Sequence, residues 1–191
     1  MSIAEHARRL NLGCGQFRKD GFLNVDADPN TEPDMLVDLD LFPYPFDDGA
    51  FEAIEADHVL EHLADPFAVM AELHRILQPG GLLTVRVPHF SRGMTHADHK
   101  RGFDVTFPHY FNRAFKGGYV GVDFTLERMR LTWFAQPYLK RTVLSPTTFR
   151  LAALAGAVFD AVARLSPYLC SRLWCYWVGG FEQVEFVFRR P

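Results

Sequence analysis

Cysteine is scarce in this chain, which has 3 cysteines among 191 residues. They stand at Cys14, Cys170 and Cys175, a spacing that matches no zinc-binding pattern. So few scattered cysteines exclude a small domain held together by disulfides, and a chain of this length can bury a core without them. We therefore expect three reduced thiols in a cytoplasmic protein.

Long apolar runs are also missing. The first 20 residues contain no stretch that resembles a signal peptide. The longest apolar stretch, residues 151–178, is interrupted by charged residues and by Pro167, so the sequence predicts no membrane-spanning helix. With 48% hydrophobic and 14% aromatic residues, the composition excludes a disordered chain.

Acidic and basic residues separate along the chain, although the net charge is only −3. Residues 1–80 hold 16 acids and 5 bases, whereas residues 81–191 hold 7 acids and 15 bases. We favour the interpretation that the two halves attract each other within one fold. The alternative is a second half that faces an anionic or lipid-surface substrate. The small net charge predicts no nucleic-acid partner.

Short apolar segments predict β-strands in both halves. Five lie in the first 88 residues, at residues 9–12, 22–25, 35–37, 51–56 and 82–87. They lack strict alternation, which is typical of a parallel sheet covered on both faces. Residues 122–133 and 181–188 alternate apolar and polar side chains and predict two C-terminal strands.

Three serine or aspartate residues followed by proline predict helix starts. Asp65-Pro66 begins a helix that Pro79-Gly80-Gly81 should end, and strands followed by helices indicate an α/β fold. Ser145-Pro146 and Ser166-Pro167 begin two more helices, to about residues 165 and 178. The first of these carries an apolar stripe over 151–165, which we expect to pack against the sheet or a partner subunit. A membrane-interface helix is the alternative.

A Gly-x-Gly sequence, Gly13 to Gly15, follows the first predicted strand, and Asp26 ends the second. Glycines let the backbone approach a ligand, and a carboxylate at this strand end can accept hydrogen bonds from ribose hydroxyls. A dinucleotide site would need a third glycine and a helix N-terminus, but Arg18 stands at the third position and only ten residues separate Gly15 from Asp26. A ligand with ribose and adenine but no phosphate fits better, namely S-adenosylmethionine.

Four segments resemble class I S-adenosylmethionine-dependent methyltransferases of the type 11 group. They are LNLGCG (10–15), FLNVDAD (22–28), VDLDLFPYPFDDGAFEAIEADHVLEHLADP (37–66) and ELHRILQPGGLLTVRVPH (72–89). The joint match, in order and spacing, is more specific than any single segment. It implies S-adenosyl-L-methionine as cofactor and an α/β, Rossmann-like sheet, mostly parallel with an antiparallel C-terminal strand and helices on both faces.

The resemblance also implies roles for eight residues of the cofactor site. They are Gly13, Cys14 and Gly15 at the methionine part, Asp26 at the ribose hydroxyls, Asp38 and Leu39 at the adenine, and Asp57 and His58 near the sulfonium. A solvated acidic turn is the alternative for Asp38.

This sequence departs from the family near its beginning. The family usually has helices before the first strand and another between the first two strands, and here there is room for neither within the given residues. Twelve of the 18 Phe, 5 of the 6 Tyr and all 3 Trp lie in residues 89–191. We therefore expect an aromatic lid over the site, built by residues 89–121, by the C-terminal helices or by a second subunit.

Histidines cluster after the fifth predicted strand. His89, His96, His99 and His109 lie there with Asp98 and Asp104. His-x-Asp-His at 96–99 could ligate a metal, but we expect no metal because the implied cofactor needs none. Most of these side chains should order the loop, and one could be the general base that a hydroxyl acceptor requires.

His89 is our first choice for this base, because it follows a strand at the edge where ligands bind in such sheets, and His96 and His99 come next. His58 and His62 lie one helical turn apart, and we expect a structural role for His62.

The sequence thus predicts one methyltransferase domain over residues 1–191. It divides into a cofactor-binding half (1–88), a substrate or lid region (89–121) and C-terminal strands (122–191) with a helical insertion at 146–178. The acceptor would be a small molecule or a glycan, methylated on oxygen or nitrogen. A homodimer and a peripheral membrane contact through 146–178 stay open. The alternatives are a non-catalytic cofactor-binding partner subunit and a metal-dependent hydrolase that uses the His89–His109 cluster.

Overall fold

One seven-stranded sheet organises the molecule. The computed structural model describes residues 7–93 and 96–191. The strands are β1 (Arg9–Leu12), β2 (Leu23–Asp26), β3 (Met35–Leu36), β4 (Phe51–Asp57), β5 (Leu77–Pro88), β6 (Thr125–Thr132) and β7 (Gln183–Arg189). Their order across the sheet is β3-β2-β1-β4-β5-β7-β6. All seven predicted strands are present, and their ends differ from the prediction by at most five residues.

The direction of the strands confirms the predicted fold class. β1 to β5 pair in parallel, and β7 lies antiparallel between β5 and β6. The reversal of strand order beside β1 leaves the carboxyl ends of β1 and β4 next to each other, which is where open α/β sheets bind ligands.

The helices are α1 (Pro66–Ile76), α2 (Phe90–Gly93), α3 (Pro137–Lys140), α4 (Pro146–Ala163) and α5 (Pro167–Arg172), with 3-10 turns at Pro29–Thr31, Phe107–Phe111 and Trp174–Tyr176. None of the helices in the described residues is both long and apolar enough to cross a membrane.

Helix α1 follows the predicted signals at its start. The Asp65 carboxylate accepts hydrogen bonds from the backbone of Phe67 and Ala68, and Pro66 takes the first helical position. Its end was predicted too late, because β5 begins directly at Leu77 and runs through Pro79, Gly80 and Gly81. The buried side chains of α1 cover one face of the sheet.

The two faces of the sheet differ sharply in chemistry. The first face is apolar, with fully buried side chains such as Ile54, Val85 and Phe186. The opposite face carries charged residues at neighbouring positions of β4, β5, β7 and β6, since Asp57 pairs with Arg86 and Arg86 with Glu185 in the strand register. A parallel sheet buried on both faces would carry apolar residues on each, so the second face is unusual.

Most of the aromatic excess belongs to the core rather than to a lid, which corrects the expectation from sequence. Seven of the 12 phenylalanines in the second half are buried: Phe103, Phe107, Phe111, Phe124, Phe181, Phe186 and Phe188. Phe107, Phe111 and Phe124 pack edge to face with one another or against Phe188, on the apolar face of the sheet. Residues 103–124 thus take the place of a second covering helix beside α1.

The leucines of the α4 stripe do not pack against the sheet, which was one of the two predicted partners, although Phe159 of the same stripe contacts Trp133 with ring centroids 5.1 Å apart. Packing of these leucines against a partner subunit stays a prediction. Leu151, Leu154, Val158 and Leu165 are between 54% and 85% exposed. The helix instead turns its small side chains inward, and a Cβ on Gly156 would lie 2.8 Å from Phe134 Cβ. Such a close approach leaves no room for leucines, so they face outward.

Candidate active site

A cavity of about 460 Å³ lies on the charged side of the sheet, at the carboxyl ends of β1 and β4. Its volume falls in the range of small-molecule sites. The lining residues are Asn11, Gly13, Cys14, Gly15, Phe17, Lys19, Asp57, His58, Arg86, Gln136, Pro137, Tyr138 and Gln183. Five of the eight predicted cofactor residues therefore come together in one cavity.

The turn after β1 needs its glycines. Gly13 has a φ of +62°, and a Cβ at this position would lie 2.6 Å from Val59 Cγ2. An L-residue would thus be strained and would also clash. A Cβ on Gly15 would meet no atom within 4 Å, so the space beside the Gly15 backbone is open to a ligand.

Asp26 shapes this turn from the end of β2. One carboxylate oxygen accepts a hydrogen bond from the Gly15 backbone at 2.8 Å, and the other accepts one from Asp28 at 2.9 Å. Each oxygen keeps a second lone pair, which leaves the carboxylate able to accept from ribose hydroxyls. Asp26 borders the cavity through Gly15 without lining it.

The two residues predicted at the adenine lie farther along the same sheet edge. The Val37 backbone donates to the Asp26 carbonyl at 2.9 Å, which places the next residue, Asp38, close to Asp26. Asp38 is exposed and accepts from the Asp40 backbone, whereas Leu39 is buried. Neither side chain lines the cavity, so the adenine positions stay a prediction.

A network of six charged side chains covers the floor of the cavity and extends across the sheet. Its members are Lys19, Glu55, Asp57, Arg86, Glu185 and Arg128. Lys19 Nζ lies 2.7 Å from one Asp57 oxygen and Arg86 lies 2.6 Å from the other. Burial raises the pKa of Asp57, but the hydrogen bonds and charges of Lys19 and Arg86 outweigh it and hold this pKa below its ordinary value.

His58 adopts a strained backbone conformation, with a φ of +55°. Its Nδ1 lies 3.2 Å from Glu61 and its Nε2 lies 3.0 Å from the Gln183 amide oxygen. Burial lowers the pKa of His58, but the hydrogen bond and charge of Glu61 and the bond to Gln183 raise it more, so the net shift is upward. The ring is therefore fixed in orientation at the rim of the cavity.

Cys14 lines the cavity as a thiol. Burial and the neighbouring Asp26 charge raise its pKa, which disfavours the nucleophilic thiolate. Cys14, Cys170 and Cys175 are all buried and free of disulfides, as expected from the sequence.

Two aromatic rings cover the cavity. Phe17 follows the glycine turn and Tyr138 lies in α3, and their ring centroids are 5.1 Å apart. Both rings are about half exposed. The expected covers were residues 89–121, the C-terminal helices or a second subunit. The turn after β1 and residues 136–138 cover the cavity instead, and no sequence pattern pointed to either.

A second cavity of about 570 Å³ adjoins the first, and Phe17, His58 and Tyr138 line both. His62, His96, Asp98 and His99 also line this second cavity. Asp98 bridges two of them, since one of its oxygens lies 3.0 Å from His96 Nδ1 and the other 3.3 Å from His62 Nδ1. The sequence grouped 96–99 correctly but did not place His62 and Glu61 beside them.

His89, the first choice for a general base, lies in neither cavity. It is completely buried, with Nδ1 2.7 Å from Ser91 Oγ and Nε2 2.9 Å from Ser171 Oγ. Burial lowers its pKa to about 4. Through its hydrogen bond to Ser171, the ring connects the end of β5 to α5 and points away from the cofactor cavity.

Comparison with known proteins agrees with this geometry. Residues 20–85 match the family described as "Methyltransferase domain", type 11. The chain is 40% identical over 101 residues to an uncharacterised 37.1 kDa protein in transposon TN4556 of Streptomyces fradiae. This match covers 41% of this chain and 29% of that protein. It is 32% identical over 92 residues to demethylmenaquinone methyltransferase of Thermus thermophilus, over 47% of this chain and 38% of that protein. The chain thus spans about a third of the length of these curated relatives.

The fold matches solved structures over nearly the whole chain. One is an S-adenosylmethionine-dependent methyltransferase from Archaeoglobus fulgidus, with a TM-score of 0.58 at 14% identity over 97% of this chain and 87% of that one. The fold is therefore that of the S-adenosylmethionine-dependent methyltransferases. Together with the type 11 domain match, this confirms the resemblance predicted from the sequence and implies S-adenosyl-L-methionine as the cofactor.

The cavity fits that cofactor chemically. The methionine end of S-adenosylmethionine is a zwitterion beside a sulfonium, and the cavity offers the Asp57 carboxylate together with the cations of Lys19 and Arg86. The open space at Gly15 and the remaining lone pairs of Asp26 border this cavity and leave room for a polar part of the ligand.

Proposed function

We propose that this protein is a methyltransferase that transfers the methyl group of S-adenosyl-L-methionine to an oxygen or nitrogen of a small-molecule or glycan acceptor, releasing S-adenosyl-L-homocysteine. The observation that carries the proposal is the glycine turn and the charged cavity at the carboxyl ends of β1 and β4. The cofactor, when bound, supplies an electrophilic methyl group. The protein needs mainly to align donor and acceptor.

We propose the following cofactor contacts, which the lining of the cavity supports. Gly13, Cys14 and Gly15 hold the methionine part, with Lys19 and Arg86 facing its carboxylate. Asp57, expected from the sequence near the sulfonium, faces the ammonium group in this proposal, and His58 keeps its expected position near the sulfonium. Asp26 accepts from the ribose hydroxyls. We keep Asp38 and Leu39 as the proposed adenine contacts.

The acceptor would bind in the second cavity, which shares its wall of Phe17, His58 and Tyr138 with the first. Of the three histidines proposed to remove a proton, we retain His96. Its ring is exposed, so it can reach an acceptor. Its Nδ1 lies 3.0 Å from an Asp98 oxygen, and this carboxylate would stabilise the ring after it accepts the proton. His99 is only 11% exposed and His89 is buried away from both cavities, so neither is favoured for this role.

Calorimetry with S-adenosylmethionine and S-adenosylhomocysteine, followed by turnover over a panel of acceptors, tests this function. We expect both ligands to bind and Asp57→Asn to weaken them at least tenfold, because the variant removes the charge that faces the ammonium group. Glu127→Gln, at an exposed pair with Arg189, is the matched control and should bind normally. Absence of cofactor binding by the folded protein would contradict the proposal.

The non-catalytic partner subunit remains the alternative, and the same experiment distinguishes it. Such a subunit would bind the cofactor, but it would not turn over any acceptor unless its partner were added. The hydrolase alternative predicts release of hydrolysis products in the presence of a metal and without S-adenosylmethionine.

We further propose that α4 and α5 contact an anionic membrane surface on the cytoplasmic side. α4 exposes Leu151 and Leu154, and the residues that follow α4 and α5 expose Leu165, Leu173 and Trp177, each by at least 60%. Residues 137–178 contain five Lys or Arg and a single acid, Asp160, which is buried. A symmetric dimer through this surface would bring arginines together, whereas anionic lipid complements them.

Sedimentation with vesicles tests the membrane contact. We expect binding to phosphatidylglycerol vesicles, little binding to phosphatidylcholine, and at least a fivefold loss in Leu165→Asp. Leu82→Asp, at a similarly apolar position on the sheet, is the control. A dimer in solution that ignores both kinds of vesicle would contradict the proposal and favour a second copy on this surface.

A further inference from the structure

Glu61 is an unusual carboxylate. It is completely buried, and its Oε2 is the one buried side-chain oxygen or nitrogen without a hydrogen-bond partner among residues 7–93 and 96–191. Its other oxygen, Oε1, lies 3.2 Å from His58 Nδ1. A buried carboxylate with an unpaired oxygen is costly unless a cation lies beside it.

Two imidazoles approach the same carboxylate from the second cavity. His62 Nε2 and His99 Nε2 each lie 4.0 Å from Glu61 Oε1. The ligand atoms of the three residues all lie within 4.8 Å of one another. Ligands of a tetrahedral zinc ion are about 3.3 Å apart, given metal–ligand bonds of about 2.0 Å, so shifts of roughly an ångström would close the site.

The His62 ring is also oriented as a metal ligand would be. Its Nδ1 lies 3.3 Å from an Asp98 oxygen, on the opposite side of the ring from Glu61. Metal-binding histidines commonly donate the other ring N–H to a carboxylate in this way, which fixes the tautomer that leaves Nε2 with a lone pair. Asp98 is therefore a positioning residue for His62.

We propose, against the expectation from the sequence that no metal binds, that Glu61, His62 and His99 bind a divalent transition metal, with zinc as the best match to two imidazoles and one carboxylate. This donor set leaves at least one coordination position open, as in catalytic zinc sites. The buried Glu61 carboxylate with its unpaired Oε2 points to the cation. The two rings lie on the side of Oε1, so the ion would bind through Oε1 or through both oxygens.

The location of the metal suggests what it does, on the assumption that the proposed methyltransferase function holds. His62 and His99 line the second cavity, which shares a wall with the cofactor cavity. A metal there would bind a hydroxyl oxygen of the acceptor. It would lower the pKa of this hydroxyl, whose proton would pass to His96 while the electron pair stays on the oxygen. The acceptor would thus be a hydroxyl compound, and the methylated atom an oxygen.

A second grouping at the same place is weaker. His96, Asp98 and His99 also bring three donors within 4.8 Å of one another. However, the side chains of His96 and Asp98 are 75% and 66% exposed, and neither of them has an unpaired buried atom. Exposed groups of this kind are stable without a cation, so we assign the metal to Glu61, His62 and His99, the set that contains the buried carboxylate.

Metal binding by the full chain tests the site directly. The protein is stripped with chelator and titrated with zinc chloride by calorimetry, and cobalt chloride gives an absorption spectrum of the coordinated ion. We expect one metal per chain and a tetrahedral cobalt spectrum. Glu61→Gln, His62→Ala and His99→Ala should each weaken zinc binding at least tenfold. His109→Ala, in neither cavity, is the matched control and should bind like the parent.

Folding of each variant is checked by its thermal transition and circular dichroism in chelator. Glu61→Gln keeps the shape of the side chain and removes its charge, so it should fold at least as well as the metal-free parent. Loss of zinc binding in His96→Ala, with normal binding in Glu61→Gln, would place the metal on the exposed set and overturn the proposal. A parent that binds no zinc would overturn it as well.

Cofactor binding and turnover, measured in parallel, separate this inference from the proposed function. Zinc binding without turnover of any acceptor would leave the metal site standing and contradict the methyltransferase. Equal turnover of stripped and zinc-loaded protein would leave the methyltransferase standing and overturn the role of the metal at the acceptor.

Discussion

The two faces of the sheet use the same strands for different purposes. Alternate residues of β4, β5 and β7 give an apolar face of Ile54, Val85 and Phe186 and a charged face of Asp57, Arg86 and Glu185. The apolar face is closed by α1 and by phenylalanine packing, whereas the charged face ends at the cofactor cavity. Apolar side chains buried on one face supply the core of the protein. The other face is therefore free to carry the charged residues of the cofactor cavity.

If the division is real, changes on the apolar face should alter stability without altering ligand affinity. Phe111 is completely buried, with ring centroids of Phe107 and Phe188 at 5.0 and 5.8 Å. Phe111→Ala should lower the free energy of unfolding by about 3–5 kcal/mol, because it leaves a cavity in a well-packed site. Urea unfolding measures this effect, and calorimetry should show cofactor affinity within twofold of the parent.

Phe111→Leu is the control for this prediction and should lose less than half as much. A large loss of cofactor affinity in folded Phe111→Ala would show that the two faces are coupled, and the division would then fail.

The second prediction concerns His89, which belongs to the buried interior although the sequence placed it at the site. Its pKa is about 4 in the folded protein and about 6.5 in the unfolded chain, so the unfolded state takes up a proton first. The contribution of His89 to stability is then constant above pH 6.5 and falls by up to about 3 kcal/mol as the pH drops from 6.5 to 4, whereas the raised pKa of His58 acts in the opposite direction. Unfolding in urea across this range measures the slope.

His89→Gln should remove most of that slope, since glutamine takes up no proton while it keeps a polar contact with Ser91 or Ser171. His74, whose pKa is also lowered by burial, adds a smaller slope of the same sign in both proteins. If His89→Gln keeps the parent's pH dependence, the ring is not buried and neutral, and its exclusion from the site must be revised.

The third prediction breaks the charged face instead. Arg86 lies 2.6 Å from Asp57 and 2.7 Å from Glu185, and its side chain is 30% exposed. Arg86→Met should lower the free energy of unfolding by about 2 kcal/mol, because half-buried carboxylates lose one of their two cationic partners. It should also weaken cofactor binding at least tenfold. On this face of the sheet, the free energy of unfolding and the cofactor affinity should therefore both decrease.

Arg128→Met is the matched control, since Arg128 pairs with the same Glu185 but is 64% exposed. Exposed ion pairs contribute little, so we expect less than about 1 kcal/mol and no change in affinity. Equal effects of the two variants would mean that the network is not specific to the cavity.

Much of this division could be predicted from the sequence, and the limits have physical reasons. Local signals placed the strands, the start of α1 at Asp65-Pro66 and the glycine turn at Gly13, because each depends on neighbours in the chain. Arg86–Asp57 and Lys100–Asp40 join the acidic and basic halves, whereas most ion pairs of the described residues lie within one half, as Arg75–Glu72 and Arg172–Asp104 do. Internal attraction between the halves therefore stays an interpretation.

The features that the sequence did not reveal depend on packing between distant segments. His89 follows a strand at the predicted edge, yet its side chain turns towards Ser171, 82 residues later in the chain. The leucines of the α4 stripe face outward, and Gly156 on the inner side of the helix lies close to Phe134. Glu61 carried no pattern beyond its place between His58 and His62, and only the fold shows that its carboxylate is buried.

The smallest predicted effect sharpens the comparison at the cover of the cavity. Tyr138 lies over the charged face, is 46% exposed and contacts the Phe17 ring at 5.1 Å. Tyr138→Ala should raise the cofactor dissociation constant about two- to fivefold, since a half-exposed aromatic contact contributes roughly 0.5–1 kcal/mol. The free energy of unfolding should stay within about 0.5 kcal/mol of the parent, because little apolar area becomes exposed.

Calorimetry measures the dissociation constant and urea unfolding measures the stability. Tyr176→Ala, 68% exposed and outside the two cavities, is the control. An unchanged dissociation constant in Tyr138→Ala would show that the ring does not touch the cofactor and that this face of the sheet is open to solvent when the cofactor binds.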